Sequence, residues 1–495
     1  MSEVVDGAGE KAVTAANQRA AELPAQDWGV EDTIARVRRG DATPREAVEM
    51  AIRRIEALDP AINAVVWKRF DDAIAEAACI PASAPLAGLP ILLKDAALQD
   101  CPFHHGNRVL AEIDWRFPHT DAFTHRLLAA GAIVLGYSNV PEFTSSGTTE
   151  SQLSGPCRNP WALDRSAGGS SGGAAAAVAE GLVPAAQSSD AGGSTRIPAS
   201  ANGLFTIKTS RGRTPLGPAS SAWFDIVNSL SFETRSVRDF AILLDVVAGP
   251  DRAETVTAPP AAGAYIDEVG APPGRLKIGF AVRSGNIDAD SHPESVRAAE
   301  KAAAMLEELG HFVEEAAPEP LLKENSTALI LAYWPAKAAL HAARAERIIG
   351  RQLGEGDLEP LTLAIVERAR SQSAIDYLTC LDRIREFGRR ALAWWQAYDL
   401  LLTPTTGSPP PPLGLMPRLD PEARAASALW GRFTPFANLT GQPAASVPLH
   451  WTDDGLPIGI QLVADYGRED LLLRVASQLE AAFPWHERRP PAAFT

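Results

Sequence analysis

Ser166-Ala-Gly-Gly-Ser170-Ser171-Gly-Gly173 and Ser188-Ser-Asp190-Ala-Gly192-Gly193-Ser194-Thr-Arg196-Ile-Pro198 are two serine–glycine stretches, with Ser170 and Ser194 lying 24 residues apart. Between them, Gly172 to Glu180 reads as an alanine-rich helix and Leu182 to Ala186 as a strand. Glycines in series remove Cβ atoms and let successive N–H groups converge on one point, a nest for negative charge. A serine in such a turn can attack a carbonyl carbon while the amides hold the developing oxyanion. A single stretch of this kind reads as a flexible loop. Two of them flanking one helix and one strand argue instead for a built site in an α/β fold.

Working outward, strand and helix signals alternate. Pro90 to Leu93 is a short apolar strand ending at Lys94. Ala122 to Ala130 is helical and stopped by Gly131, and Ala132 to Leu135 is a strand. Thr43-Pro44 is a cap and first-turn pair that opens a helix. Arg275 to Val282 is a strand, and Pro293 to Leu309 a helix ended by Gly310. Residues 320–395 are mainly helical in pattern. Strands follow at Tyr398 to Leu402, Ala444 to Leu449 and Gly459 to Val463, then an amphipathic helix at Asp470 to Phe483. This alternation predicts a layered α/β protein. We expect an N-terminal arm over 1–27, and one domain over 28–495 with a mainly helical insertion at about 320–395.

Composition fits a soluble globular chain: 46% hydrophobic and 22% charged in 495 residues. The net charge of −15 disfavours nucleic acid and anionic membranes as partners. Four cysteines without metal-type spacing suit a reducing compartment. No secretory signal or membrane-spanning run is visible, so a cytoplasmic location is expected. His104-His105 beside Cys101 lacks a further ligand at metal spacing and reads as a surface loop. No metal or organic cofactor is called for.

A serine nucleophile needs a base. None of the nine histidines lies near either glycine stretch. Lys94, at the end of an apolar strand, is the other candidate, because burial favours the neutral form of a lysine. A neutral lysine can take the serine proton directly or through a second hydroxyl. Gly169-Ser-Ser171-Gly-Gly173 also matches GxSxG, with Ser171 central, as in an α/β-hydrolase esterase. That motif needs a buried strand before it, and Arg158 to Ala167 is polar. The glycine loops contain no GxxxxGK[ST].

Gly88 to Asp95, Gly168 to Gly173 and Asp190 to Pro198 together resemble the amidase signature family. Arg158-Asn-Pro-Trp161, Pro141-Glu142 and Asn438-Leu-Thr-Gly-Gln-Pro443 extend the likeness over about residues 28–488. The resemblance implies an α/β/α sandwich around a large mixed, mostly parallel central sheet flanked by helices. It implies Ser194 as nucleophile, Ser170 as a bridging serine at a cis peptide bond, and Lys94 as base. The amides of Ala191, Gly192, Gly193 and Ser194 would form the oxyanion hole, with Asp190 and Arg196 bracing the loop as an ion pair. The pattern departs at Ala191, where the family usually has threonine, at Thr195, and at Ile207-Lys208-Thr209-Ser210.

The C-terminal third is most similar to the 6-aminohexanoate-cyclic-dimer hydrolases of that family. Trp394-Trp395-Gln-Ala-Tyr-Asp-Leu-Leu-Leu-Thr-Pro404 and Ala464-Asp-Tyr-Gly-Arg-Glu-Asp-Leu-Leu-Leu473 carry this likeness. Aryl acylamidases and urethane-cleaving hydrolases are related members. The activity implied is hydrolysis of C–N bonds in linear or cyclic amides or in carbamates. The partners implied are a small-molecule substrate and, from relatives, a second copy as a homodimer. The substrate pocket is expected at Phe143, Ser145, Ser146 and Trp334, with the loop near Thr405. An amidase-like subunit of a transfer-RNA amidotransferase shares the pattern, but the acidic charge and the retained Lys94, Ser170 and Ser194 weigh against it.

Overall fold

Pro90–Leu93 is too short and too apolar to be anything but an inner strand, and all four residues are buried. The computed structural model, which describes residues 29–94, 98–218, 224–252, 254–285 and 290–491, places it third in a sheet of five. The order is Val65–Lys68, Ile133–Ser138, Pro90–Leu93, Ala185–Asp190, Ser229–Glu233. The three inner strands run parallel and the two edge strands antiparallel to their neighbours. A second sheet of six has the order Phe312–Glu315, Lys277–Phe280, Leu400–Pro404, Pro457–Ala464, Ala444–Trp451, Thr206–Lys208. Its first three strands are parallel and the rest antiparallel.

The two sheets meet edge to edge. Phe205 and Thr234 exchange backbone bonds at 2.9 and 3.2 Å, Thr206 Oγ1 donates to Phe232 O at 2.6 Å, and Ser231 Oγ donates to Ile207 O at 2.5 Å. One buried apolar cluster runs through both sheets, from Ile91 and Val134 to Ile278, Leu402 and Leu462. The expected mixed sheet flanked by helices is therefore what the chain forms. The arm over 1–27 lies outside the described residues, as does Asp95 of the lysine stretch.

Strand alternation sets up the site. Ile91 and Leu93 pack into the cluster on one face, while Leu92 packs on the other with the alanine helix Gly172–Ala179. That helix is buried on every side, which small residues allow. Residues 320–395 carry the long helices Ser326–Ile349, Pro360–Arg370 and Ala374–Leu392. Thr43 and Glu46 form a complete capping box on Pro44–Ile62. The strand expected over Leu182 to Ala186 lies instead at Ala185–Asp190. Its polar second half looks like a loop in sequence but is buried because its side chains are hydrogen-bonded in the site.

Candidate active site

Pro90–Leu93 and Ala185–Asp190 are parallel neighbours, so their C-terminal ends lie side by side. That end of a parallel sheet is where α/β proteins gather their chemistry. Lys94 follows the first strand and the loop 191–195 follows the second. Lys94 is 5% exposed, and its Nζ donates to Ser170 Oγ at 2.8 Å. It also reaches Ser189 Oγ at 3.0 Å and Ser189 O at 3.2 Å. The Lys94 amide donates to Gln187 Oε1 at 2.8 Å, which ties the strand ends together.

Ser170 is buried at the start of the alanine helix, and the Gly169–Ser170 peptide bond is cis. A Cβ on Gly169 would lie 2.6 Å from the Thr148 backbone, so only glycine lets this loop approach so closely. The next residue ties the two serine loops: Ser171 N donates to Ser194 O at 3.1 Å. Ser194 is half-buried, in the wall of a cavity of about 500 Å³.

The Ser194 loop turns on Gly193, whose φ of +126° suits glycine and where a Cβ would meet Thr434 Oγ1 at 2.2 Å. Asp190 and Arg196 form a buried ion pair beneath it. Arg196 Nε and Nη2 donate to the Asp190 carboxylate at 2.8 and 2.9 Å, and both side chains are fully buried. Arg196 also donates to Gln461 Oε1 at 2.6 Å and to Asn438 Oδ1 at 2.7 Å. Burial alone would push the Asp190 carboxyl up, but the Arg196 guanidinium holds it well below the usual carboxylate range.

The expected set of four oxyanion amides needs one correction. Gly193 N donates to Asp190 Oδ1 at 2.7 Å, so its one hydrogen is committed to the brace. The amides of Ala191, Gly192 and Ser194 donate to no acceptor among the described residues.

Ser145, Ser146 and Trp334 line the Ser194 cavity, with Thr144, Ile330, Met416 and Trp430. Phe143 does not: it is fully buried and faces a neighbouring cavity behind Lys94. Thr405 is also elsewhere, buried and bonded to Ser446 Oγ at 3.1 Å. Ser171 is fully buried, and the strand before it, Ala162–Ser166, is a short antiparallel piece paired with Arg158–Asn159, so no nucleophile elbow is built there. His105 is no surface residue: it is 6% exposed and packs against Phe103, Phe143 and His341. Among the described residues, no group of three or more His, Cys, Asp or Glu could hold a metal, and no helix is long and apolar enough to cross a membrane.

Ser189 escaped the sequence reading because one serine among six in those stretches carries no distinguishing mark. Ile330 was legible in principle, since it stands four residues before Trp334 on one helix face. Lys337 is a further buried lysine. It donates to Thr144 Oγ1 at 3.0 Å and lies 4.0 Å from the Trp334 ring centre, and burial holds its amine well below the usual lysine range.

Two serine loops, a buried lysine and a turn of amides without acceptors among the described residues meet at one parallel-strand edge. The chain belongs to the amidase family, whose model, described as Amidase, matches residues 46–473. It is 40% identical over 472 residues to the 6-aminohexanoate-cyclic-dimer hydrolase of Paenarthrobacter ureafaciens, covering 92% of this chain and 94% of that one. A solved 6-aminohexanoate cyclic dimer hydrolase complexed with substrate superposes with a TM-score of 0.89 at 38% identity, over 94% of this chain and 99% of that chain. A bacterial aryl acylamidase of the amidase signature family superposes with a TM-score of 0.85 at 27% identity, over 94% of this chain and 98% of that chain.

Proposed function

We propose that the protein hydrolyses cyclic and linear amides of ω-amino acids, and carbamates of similar size, by an acyl-enzyme route. Lys94, uncharged at rest, draws a proton through Ser170 as the Ser194 oxygen attacks the carbonyl carbon. The amides of Ala191, Gly192 and Ser194 receive the oxyanion. Collapse breaks the C–N bond, and the relay returns the proton to the leaving amine. Water then attacks the Ser194 ester and releases the acid. The observation that carries this reading is the 2.8 Å contact between Lys94 Nζ and Ser170 Oγ, in a loop bonded to the backbone of Ser194.

The substrate class rests on the likeness to the 6-aminohexanoate-cyclic-dimer hydrolases and on the largely apolar cavity, walled by Ile330, Trp334 and Met416. Carbamates enter because their carbonyl carbon is attacked in the same way. The test is turnover of 6-aminohexanoate cyclic dimer, its linear oligomers, nitroanilides and aryl carbamates, beside fluorophosphonate labelling. The cyclic dimer should be cleaved and the label should sit on Ser194. Label on Ser171, or full activity in Ser194→Ala, would overturn the mechanism. Turnover of nitroanilides alone would overturn the substrate class.

A further inference from the structure

A second cavity of about 420 Å³ lies on the far side of Lys94. It shares Thr144 with the Ser194 cavity and is walled in part by Lys94 and Ser189. Its apolar walls include the rings of Phe103 and Phe117.

The charge in its lining is one-sided. Arg344 and Arg347 face it from one turn of the helix Ser326–Ile349. Neither has an ion-pair partner among the described residues. Burial and the neighbouring Arg347 both hold the Arg344 guanidinium below its usual range. Asp121 is the one acid among the described lining residues, and its Oδ1 caps the helix Ala122–Ala129, accepting from Thr124 N at 2.8 Å. In a chain of net charge −15, two arginines on one cavity without an ion pair among the described residues stand out.

A second observation points the same way. His105 is 6% exposed, lines this cavity, and has no hydrogen-bond partner at Nδ1. A buried polar atom without a partner is costly, and a ligand or water at that atom relieves the cost. Its ring lies edge-on to His341 with centres 4.6 Å apart, and His341 sits one turn before Arg344, so these groups form a contiguous polar patch that adjoins the aromatic wall at Phe103.

We infer that this second cavity binds an amphiphilic monocarboxylate, with the anion at the Arg344, His341 and His105 end and the carbon chain against Phe103 and Phe117. A planar guanidinium suits a carboxylate, and two unpaired guanidinium groups favour an anion over a cation or a neutral amide. One consequence rests on the reading of Lys94 as the base. A bound anion beside Lys94 favours its ammonium form, which cannot accept the serine proton.

The experiment is calorimetric titration of the full chain with sodium hexanoate, with hexylammonium as the control. It is run on wild type, on protein phosphonylated at Ser194, and on Arg344→Gln and Arg347→Gln. Hexanoate should still bind the phosphonylated protein, and Arg344→Gln, half-exposed and foldable, should weaken that binding tenfold or more. Hexylammonium should not bind there. In rate assays hexanoate should inhibit without competing with substrate, and should move the pH midpoint of kcat/KM upward in wild type but not in Arg344→Gln. Binding that vanishes on phosphonylation and is indifferent to both arginine variants would place hexanoate in the Ser194 cavity and overturn the inference. Binding that survives phosphonylation with no shift of the midpoint would leave the site standing and overturn Lys94 as base. Failure of the label to find Ser194 would overturn the nucleophile alone, since the arginine variants still report the site in unlabelled protein.

Discussion

The amide of Gly193 donates to the carboxylate of Asp190 at 2.7 Å, so the loop that presents Ser194 hangs on a buried charge. Asp190→Asn keeps the volume but removes that charge, leaving Arg196 buried without its counter-ion. The expected cost is ~3–5 kcal/mol of stability, together with loss of most activity. Denaturant unfolding beside a rate assay checks this. An asparagine variant of near wild-type stability would show that Gln461 and Asn438 suffice to hold Arg196.

Lys94 touches two serines, and they should not be equivalent. Ser170→Ala should be severe because it cuts the relay, whereas Ser189→Ala removes one contact to Nζ and should cost about tenfold in kcat. Lys94→Arg should be nearly as damaging as Lys94→Ala, because a guanidinium keeps its proton. Steady-state rates of the four variants decide it. Substantial activity in Lys94→Arg would mean that the position supplies only positive charge.

Lys208 gives a stability prediction with a definite sign. It is fully buried, and its Nζ donates to Thr209 O at 2.7 Å. Burial first, then the nearby Arg196, pulls its amine down to about 7. An unfolded lysine titrates near ~10.4, so between about 7 and that value the unfolded chain binds more protons than the folded one. Folding should therefore gain stability from Lys208 as pH rises through this window. Lys208→Met should flatten the rise, seen as a smaller change of Tm between pH 7 and 10 than in wild type.

Ile330 stands over the Ser194 loop: a Cβ added to Gly192 would lie 3.7 Å from its Cγ2. Ile330→Ala should lower kcat/KM for the cyclic dimer by ~10–100-fold through lost apolar contact. It should spare bulky nitroanilides, which can fill the space. Equal losses for both would show that Ile330 does not shape the pocket.

The residue types of the site were legible because their chemistry demands company. A buried lysine and two glycine-rich serine loops have few other uses, and their order along an α/β pattern fixed which strand ends they follow. The strand Ala185–Asp190 was shifted in the reading because Gln187, Ser188 and Asp190 look like a loop until their buried partners are known. The edge strands Val65–Lys68, Thr206–Lys208 and Ser229–Glu233 are three to five residues long and only partly alternating, too little pattern to read. The Gly193 amide and the burial of His105 are three-dimensional facts. One depends on a loop's turn, the other on a helix more than 200 residues away.

The brace on Arg196 also bears on when the protein becomes active. Its partners Asn438 and Gln461 stand more than 240 residues after Asp190, so they leave the ribosome long after both serine loops. A nascent chain that has made both serine loops and Lys94 still lacks the groups that hold the guanidinium and, through it, the nucleophile loop. A hydrolase held together in this way should be disarmed during its own synthesis. The Ser194 loop should be set in place only when Asn438 and Gln461 close on Arg196, so a chain truncated before Asn438 should be inert.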